Sequence, residues 1–112
     1  MRNDAVNIDI GKQFSRLPAG RTPSDGKYCG ETFRERFLVT NMAAGRTVII
    51  ALDGVLSYGS SFLEEAFGGL VRIYSYEPMF LKKHLALKSA DPYLIDEIWH
   101  YIDDAKLKAL PQ

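Results

Sequence analysis

The sequence predicts an α/β domain with a mixed, mostly parallel central sheet and about three helices. The first observation is a continuously apolar, β-branched run over residues 47–52, which is typical of a central parallel strand buried on both faces. The second is a pair of apolar stripes with helical period, one after residue 61 and one after residue 92. The third is the alternation of strand-like and helix-like segments, which indicates parallel strands joined by right-handed crossovers.

The first elements along the chain are a strand, a long loop and a helix. Apolar residues alternate with polar ones over 6–10 and predict the strand. Residues 17–26 contain two prolines and two glycines and predict a loop of turns, and long ordered loops are often functional. The helix is expected over 31–43, with the charged residues 34–36 on its wetter side.

The central strand is followed by a turn and a second helix. The apolar stripe of this helix covers 62–70, and Ser61-x-x-Glu64 matches a capping box at its start. Gly68 and Gly69 lie inside the stripe and cost the helix roughly 1 kcal/mol each relative to alanine. Close packing of the helix on the sheet is expected to compensate for this cost.

The chain ends with a third strand and a third helix. Residues 84–88 alternate and predict the strand, after an interruption at Pro78. Asp91 followed by Pro92 predicts the helix start, because a carboxylate caps the first turn and proline fits the first helical position. The helix is expected to run to residue 109.

Length, charge and cysteine content narrow the class of protein. The chain of 112 residues is expected to form a single domain over 1–112. Its formal net charge is zero, so a nucleic-acid partner is not expected. No apolar run approaches the roughly 20 residues of a membrane span, and the N-terminus has no apolar segment of signal-peptide type. A lone cysteine, Cys29, fits a reducing compartment, so a cytoplasmic location is expected.

The main candidate site is the turn Gly59-Ser60-Ser61 at the start of the second helix. Backbone N–H groups and the helix dipole attract anions at such a position, and in open α/β sheets ligands gather at the carboxyl ends of strands. A phosphate can bind there, or Ser61 or Ser60 can itself be phosphorylated. The alternative is that Ser61 simply caps the helix, and the two interpretations are compatible.

The loop over 21–31 is the second candidate. Arg21, Ser24 and Asp25, together with Arg34 of the following helix, are expected to complete a ligand-binding or partner-binding surface around the serine turn. The alternative is a solvated connection, in which Asp25 and the glycine after it form an ordinary turn.

Other chemistries are not indicated. Nothing places His84 or His100 near Cys29, so a structural role is expected for the cysteine and no catalytic residue is assigned. One cysteine and two separated histidines match no zinc spacing, and Asp53-Gly54 lacks the end of a phosphate-binding loop. No metal and no cofactor are therefore expected.

Two stretches of the sequence resemble a known family. The stretch from Asp53 to Leu70 contains Asp-Gly-Val and Gly-Ser-Ser-Phe-Leu motifs and is similar to a STAS-like family of small bacterial proteins of unknown function. The stretch from Ser24 to Arg34, with its Ser-Asp-Gly and Gly-Glu motifs, matches the same family in the same order. The resemblance covers residues 5–90 and implies a STAS-like fold.

The wider STAS group includes anti-sigma-factor antagonists, in which a partner kinase phosphorylates a serine at a helix start. Aligning the turns places this serine on Ser61, with Ser60 before it. Gly59 stands where those proteins have an acidic residue, and Phe62 stands where they have glycine. The resemblance implies a regulatory protein-interaction module whose partner is a kinase-like ATPase, switched by phosphorylation of the serine.

Two other functions remain open from the sequence. The helix start at 59–61 can instead hold a nucleotide or a phosphorylated metabolite, as in a small-molecule binding domain or an enzyme. Aromatic side chains such as Tyr74, Tyr76 and Phe80, if exposed, can alternatively form the interface of a homodimer.

Overall fold

The computed structural model describes residues 4–109, and in this part of the chain the sheet has three strands. In spatial order the strands are β1 (Ala5–Asp9), β2 (Thr47–Ala51) and β3 (Leu85–Lys88). Both strand pairs are parallel, with Ile50 of β2 opposite Ile8 on one side and Leu87 on the other. The α/β class is confirmed, and every described strand pair is parallel.

The helices connect the strands, and two of them change to a π-helical pitch in the middle. In chain order they are α1 (Ile10–Gln13), α2 (Gly30–Phe33, π-helical Arg34–Val39 and Thr40–Ala43), α3 (Ser60–Leu63, π-helical Glu64–Gly68 and Gly69–Arg72), α4 (Pro78–His84) and α5 (Pro92–Ala109). The three predicted helices correspond to α2, α3 and α5. Within residues 4–109, no helix combines the length and the apolar character needed to cross a membrane.

The two short helices α1 and α4 were not expected from the sequence. Pro78 begins α4 instead of interrupting the chain, because proline is well suited to the first helical position. His84 ends this helix, so β3 starts one residue later than predicted. The prediction that the N-terminus carries no apolar leader involves residues 1–3, which lie outside the described residues.

The apolar strand β2 is central in the sheet, but the prediction that it is buried on both faces is wrong. Val48 and Ile50 are fully buried, whereas Thr47, Ile49 and Ala51 are only half-buried. The reason is topological. The strands lie side by side in chain order, from β1 through β2 to β3. Each crossover therefore moves one strand further in the same direction, and two right-handed crossovers of this kind place their helices on the same face of the sheet.

An aromatic cluster on the covered face brings the starts of α2 and α3 together. The ring centroid of Phe33 in α2 lies 5.8 Å from that of Phe62 and 6.3 Å from that of Phe67, both in α3. Phe14, which directly follows α1, lies 6.2 Å from Phe62. Aromatic contacts of this kind bury large apolar areas. They hold the loop before α2 and the turn before α3 next to each other.

Candidate functional site

The carboxyl ends of the parallel strands lead into the loops that contain the candidate residues. β1 leads through α1 to the loop that carries Arg21, Ser24 and Asp25, and β2 leads to the turn over 59–61. Parallel strands bring such loops to the same edge of a sheet. The structure therefore places both predicted parts of the site at one edge of the sheet.

Ser60 and Ser61 are exposed in the first turn of α3. The N-cap residue is Gly59, with an extended backbone (φ −73°, ψ 139°), and no described side chain forms a cap hydrogen bond. The predicted capping box is wrong, because Ser61 lies inside the helix and Glu64 binds arginine instead. The first N–H groups of a helix have no partner within it, and here they lie beside two exposed hydroxyl groups.

The loop before α2 forms a hydrogen-bonded turn around Asp25. Its carboxylate accepts the backbone N–H groups of Thr22 at 3.1 Å and Arg21 at 2.9 Å, and these bonds hold the pKa of Asp25 below its ordinary value. The exposed hydroxyl of Ser24 shares a 2.8 Å hydrogen bond with that of Thr22. The backbone N–H of Glu31 donates to the Arg21 carbonyl at 3.0 Å. Asp25 and Ser24 thus stabilise the loop itself.

Arg34 is buried, with 2% of its surface exposed, so the prediction that it lies on the wetter side of α2 is wrong. Its Nη1 donates to both the carboxylate and the backbone carbonyl of Glu65 at 2.7 Å, and its Nε donates to Glu35 at 2.9 Å. Burial alone lowers the pKa of Arg34, but the bonds to Glu65 and Glu35 outweigh it and raise the pKa. Arg34 therefore ties α2 to α3 and has almost no surface left for a ligand.

Two further arginines contact the same carboxylates of α3. Arg21 donates to Glu64 at 2.5 Å and lies 3.4 Å from Glu65. Arg72 also pairs with Glu64 and lies 3.1 Å from Glu65. The hydrogen bond to Glu64 raises the pKa of Arg21. These residues form the arginine–glutamate cluster, which consists of Arg21, Arg34, Glu64, Glu65 and Arg72.

The cluster explains the two glycines inside α3. A Cβ atom on Gly69 would collide with Nη1 of Arg34, and a Cβ atom on Gly68 would collide with the carboxylate of Glu64. The same added Cβ atom on Gly68 would lie 3.4 Å from the backbone carbonyl oxygen of Tyr101 in α5. The glycines make room for charged side chains and for α5. The prediction that they allow close packing on the sheet is therefore wrong.

Sequence reasoning did not identify Glu65 and Arg72 as members of this cluster. A signal existed for Glu65, because it lies within the apolar stripe 62–70 and a charged residue in such a stripe needs a partner. Its partner Arg34 is 31 residues away along the chain. No local spacing rule connects residues at that separation, so the pair is visible only in the folded chain.

Two exposed leucines lie on the segments that lead from the strand ends towards the candidate loops. Leu56 and Leu17 are 65% and 61% exposed, and the N–H of Leu56 donates at 2.8 Å to the carbonyl of Arg16, the residue before Leu17. Leu56 lies in the turn between β2 and α3, close in sequence to the serines. Grouped apolar side chains at a surface mark sites of protein contact. The serine surface is defined as Leu17, Leu56, Gly59, Ser60 and Ser61.

A shallow cleft of about 450 Å³ lies beside the same turn. Its acidic lining residues, within the described part of the chain, are Asp53, Asp91 and Glu97. Three carboxylates repel a phosphate group. The cleft therefore does not favour a nucleotide or a phosphorylated metabolite, and Arg34 and Arg21 are already paired elsewhere.

Asp53 connects the turn after β2 to the chain after β3, and its protonation is expected to weaken the fold. Its carboxylate accepts the Ser89 hydroxyl at 2.7 Å and the Ala90 N–H at 2.8 Å, which lowers its pKa. A carboxylate with a depressed pKa stabilises the fold above its unfolded pKa and loses this effect as the pH falls through the folded pKa. Asp53→Asn is therefore expected to lower the Tm at neutral pH, and its difference from wild type is expected to shrink below about pH 4.

Thermal melts followed by circular dichroism from neutral pH down to about pH 3 measure this difference. A Tm difference that stays constant over the whole range would show that the charge of Asp53 does not contribute.

The aromatic residues predicted for a homodimer interface mostly contact one another. The rings of Tyr76 and Phe80 stack at 5.3 Å, and that of Phe80 lies 4.3 Å from the ring of His84. Both Tyr76 and Phe80 pack against the core. Tyr74 is 38% exposed, and its hydroxyl donates to Glu35. These side chains therefore leave little free apolar surface.

Cys29 is fully buried at the start of α2, with its Sγ atom 3.2 Å from the hydroxyl of Thr32. Within residues 4–109, no group of three His, Cys, Asp or Glu side chains is arranged to hold a metal ion.

A comparison with known protein families agrees with the resemblance seen in the sequence. The family model described as a STAS-like domain of unknown function (DUF4325) matches residues 29–94. The matched segment runs from the N-cap of α2 into α5, and it contains the serine turn and the Arg34–Glu65 pair. No match was found among curated proteins or among solved structures. Since the match covers more than half of the chain, the chain belongs to the family of STAS-like domains of unknown function.

Proposed function

We propose that this domain is a regulatory protein-interaction module that binds a kinase-like ATPase through the serine surface. The observation that supports the proposal is the exposure of Ser60 and Ser61 in the first turn of α3, together with the exposure of Leu17 and Leu56 on the segments that follow β1 and β2. A regulated interface needs apolar side chains that lose water on binding, and it needs a group whose charge can change. The serine surface contains both.

The proposed switch is phosphorylation of Ser61, with Ser60 as the second candidate. A phosphoserine carries nearly two negative charges, and the backbone N–H groups at a helix start stabilise such a charge. The carboxylates one turn further along α3, Glu64 and Glu65, are paired with arginines, which limits their repulsion of a phosphate. The new charge would lie within the proposed interface and would oppose its desolvation by a partner, so the unphosphorylated form is the binding form.

The switch predicts opposite behaviour for two substitutions of Ser61. Ser61→Asp is expected to weaken binding to the ATPase by about tenfold or more, because it places a charge at the apolar interface. Ser61→Ala is expected to bind like wild type but to accept no phosphate at this position. The measurement is binding to a kinase-like ATPase encoded by a neighbouring gene, with phosphate transfer from ATP followed by mass spectrometry.

Substitution of Leu56 tests the interface separately from the switch. Leu56→Asp is expected to abolish binding without lowering the Tm, since the side chain is 65% exposed. The matched control is Leu107→Asp on α5, where the leucine is 66% exposed and lies outside the serine surface. Equal effects of the two leucine variants, or no binding and no phosphate transfer at all, would refute the proposed function.

A further inference from the structure

The face of the sheet opposite the helices plays no part in the proposed function. Parallel sheets are almost always covered on both faces, and the described helices cover one. On the other face Asn7 and Lys88 are exposed, and Ile49 and Ala51 are half-buried. Together they line a shallow cleft of about 400 Å³. An exposed face of a parallel sheet with an apolar centre indicates a surface that binds another molecule.

The strand register arranges the charges that the strands contribute to this face in a row, and Lys12 of α1 also lines the cleft. Asp9 of β1 is opposite Ala51 of β2, and Ala51 is opposite Lys88 of β3. The row therefore has an acid at one side, a methyl group in the middle and a base at the other side. Adjacent strands are about 4.8 Å apart, so the acid and the base are separated by roughly 10 Å. No ion pair joins these two side chains in the described part of the chain.

We propose that two copies of this chain pack these faces together around a two-fold axis that runs parallel to the strands above β2. Rotation about this axis exchanges the two sides of the sheet. Asp9 of each copy then faces Lys88 of the other copy, and Ala51 faces its own equivalent. The small side chain at the centre allows the roughly 10 Å separation of packed sheets.

The charge pattern selects this axis over the other face-to-face arrangement. An axis perpendicular to the strands places β1 of one copy over β1 of the other and β3 over β3. Asp9 of one copy then lies on the same side of the interface as Asp9 of the other copy, and the same holds for Lys88. That arrangement brings like charges to the same side of the interface, which opposes association. Only the axis parallel to the strands makes both pairs complementary.

The small size of the face sets the expected strength. Three short strands cover roughly 250 Å² of flat area, less than the ~800 Å² that each partner buries in a standard stable interface. The dimer is therefore expected to be weak and to dissociate on dilution.

Sedimentation velocity over a range of concentrations tests the dimer with two charge reversals. Lys88→Glu and Asp9→Lys each bring like charges together in their own homodimer, so each variant alone is expected to stay monomeric. In an equal mixture of the two variants, every facing pair joins opposite charges again. The mixture is therefore expected to dimerise like wild type, and a mixture that stays monomeric would overturn the proposed axis.

Two further variants keep the test decisive. Lys83→Glu changes the net charge equally but lies on α4, away from the face, and is expected to leave dimerisation unchanged. Asp9 also caps α1 through the Lys12 N–H at 3.1 Å, so Asp9→Lys can disturb the fold. In that case Ala51→Glu, which meets its equivalent on the axis, serves as the second disrupting variant. A wild-type protein that is monomeric at its highest soluble concentration, or a dimer that survives both Lys88→Glu and Ala51→Glu, would overturn the proposal.

Discussion

Arg34→Ala is expected to destabilise the fold by about 1.5–3 kcal/mol, because it removes the charge-assisted hydrogen bonds of a buried guanidinium to Glu65. Arg34 is 2% exposed and Glu65 is 8% exposed, and their side chains are joined at 2.7 Å. The same guanidinium also satisfies the backbone carbonyl of Glu65. Its removal leaves this carbonyl without the guanidinium donor, and the buried carboxylate then has only Arg72 at 3.1 Å and Arg21 at 3.4 Å. Urea unfolding followed by circular dichroism measures the free energy.

Two comparisons separate the buried pair from a general effect of arginine removal. Arg36→Ala removes an exposed arginine of the same helix, whose guanidinium lies 5.2 Å from the ring of Phe37, and is expected to cost less than about 1 kcal/mol. The double variant Arg34→Met with Glu65→Met is expected to recover much of the lost stability, because an apolar pair carries no desolvation cost. Equal costs for Arg34→Ala and Arg36→Ala would contradict the buried pair.

Gly30→Ala is expected to destabilise the fold by about 1–3 kcal/mol, because a new methyl group would overpack the contact between α2 and α3. A Cβ atom on Gly30 would lie 2.7 Å from the Phe62 carbonyl oxygen and 2.9 Å from the Ala66 nitrogen. Both atoms belong to the backbone of α3 and cannot turn aside as a side chain can. Helix propensity alone favours alanine over glycine by about 1 kcal/mol, so the sign of the measured change distinguishes overpacking from propensity.

Gly59→Ala is the matched control for this substitution. A Cβ atom on Gly59 would meet no atom within 4 Å, and its backbone φ of −73° is accessible to alanine. The change in the free energy of unfolding is expected to stay within about 1 kcal/mol, since alanine is only a somewhat poorer N-cap than glycine. A Gly30→Ala variant that is as stable as wild type would show that the two helices do not approach as closely as described.

The contacts of Gly30 and Arg21 with α3 also affect the position of the serine surface. Gly30 lets the start of α2 approach α3, and Arg21 attaches the preceding loop to Glu64 near the serines. The exposed Leu17 lies in the chain segment before this loop. The charged interior between α2 and α3 therefore positions the surface that we propose as the partner-binding site.

Much of the fold follows from local patterns in the sequence. Apolar alternation predicted β1, and stripes of helical period predicted α3 and α5. The sequential order of the elements was enough to predict an α/β domain, and the two motifs were enough to predict the STAS-like family. Local backbone preference and side-chain period act over a few residues, so a sequence displays them directly.

The sequence by itself determined the order of the three strands and the three longer helices, the family, and the position of the serines at the start of α3. Only the tertiary structure decided that Arg34 is buried against Glu65, that Gly59 rather than Ser61 is the N-cap, and that one face of the sheet is left open by residues 4–109. Burial and ion pairing depend on segments far apart in the chain. The open face depends on the order in which successive strands add to the sheet. Local sequence patterns show neither the long-range pairing nor the strand order in space.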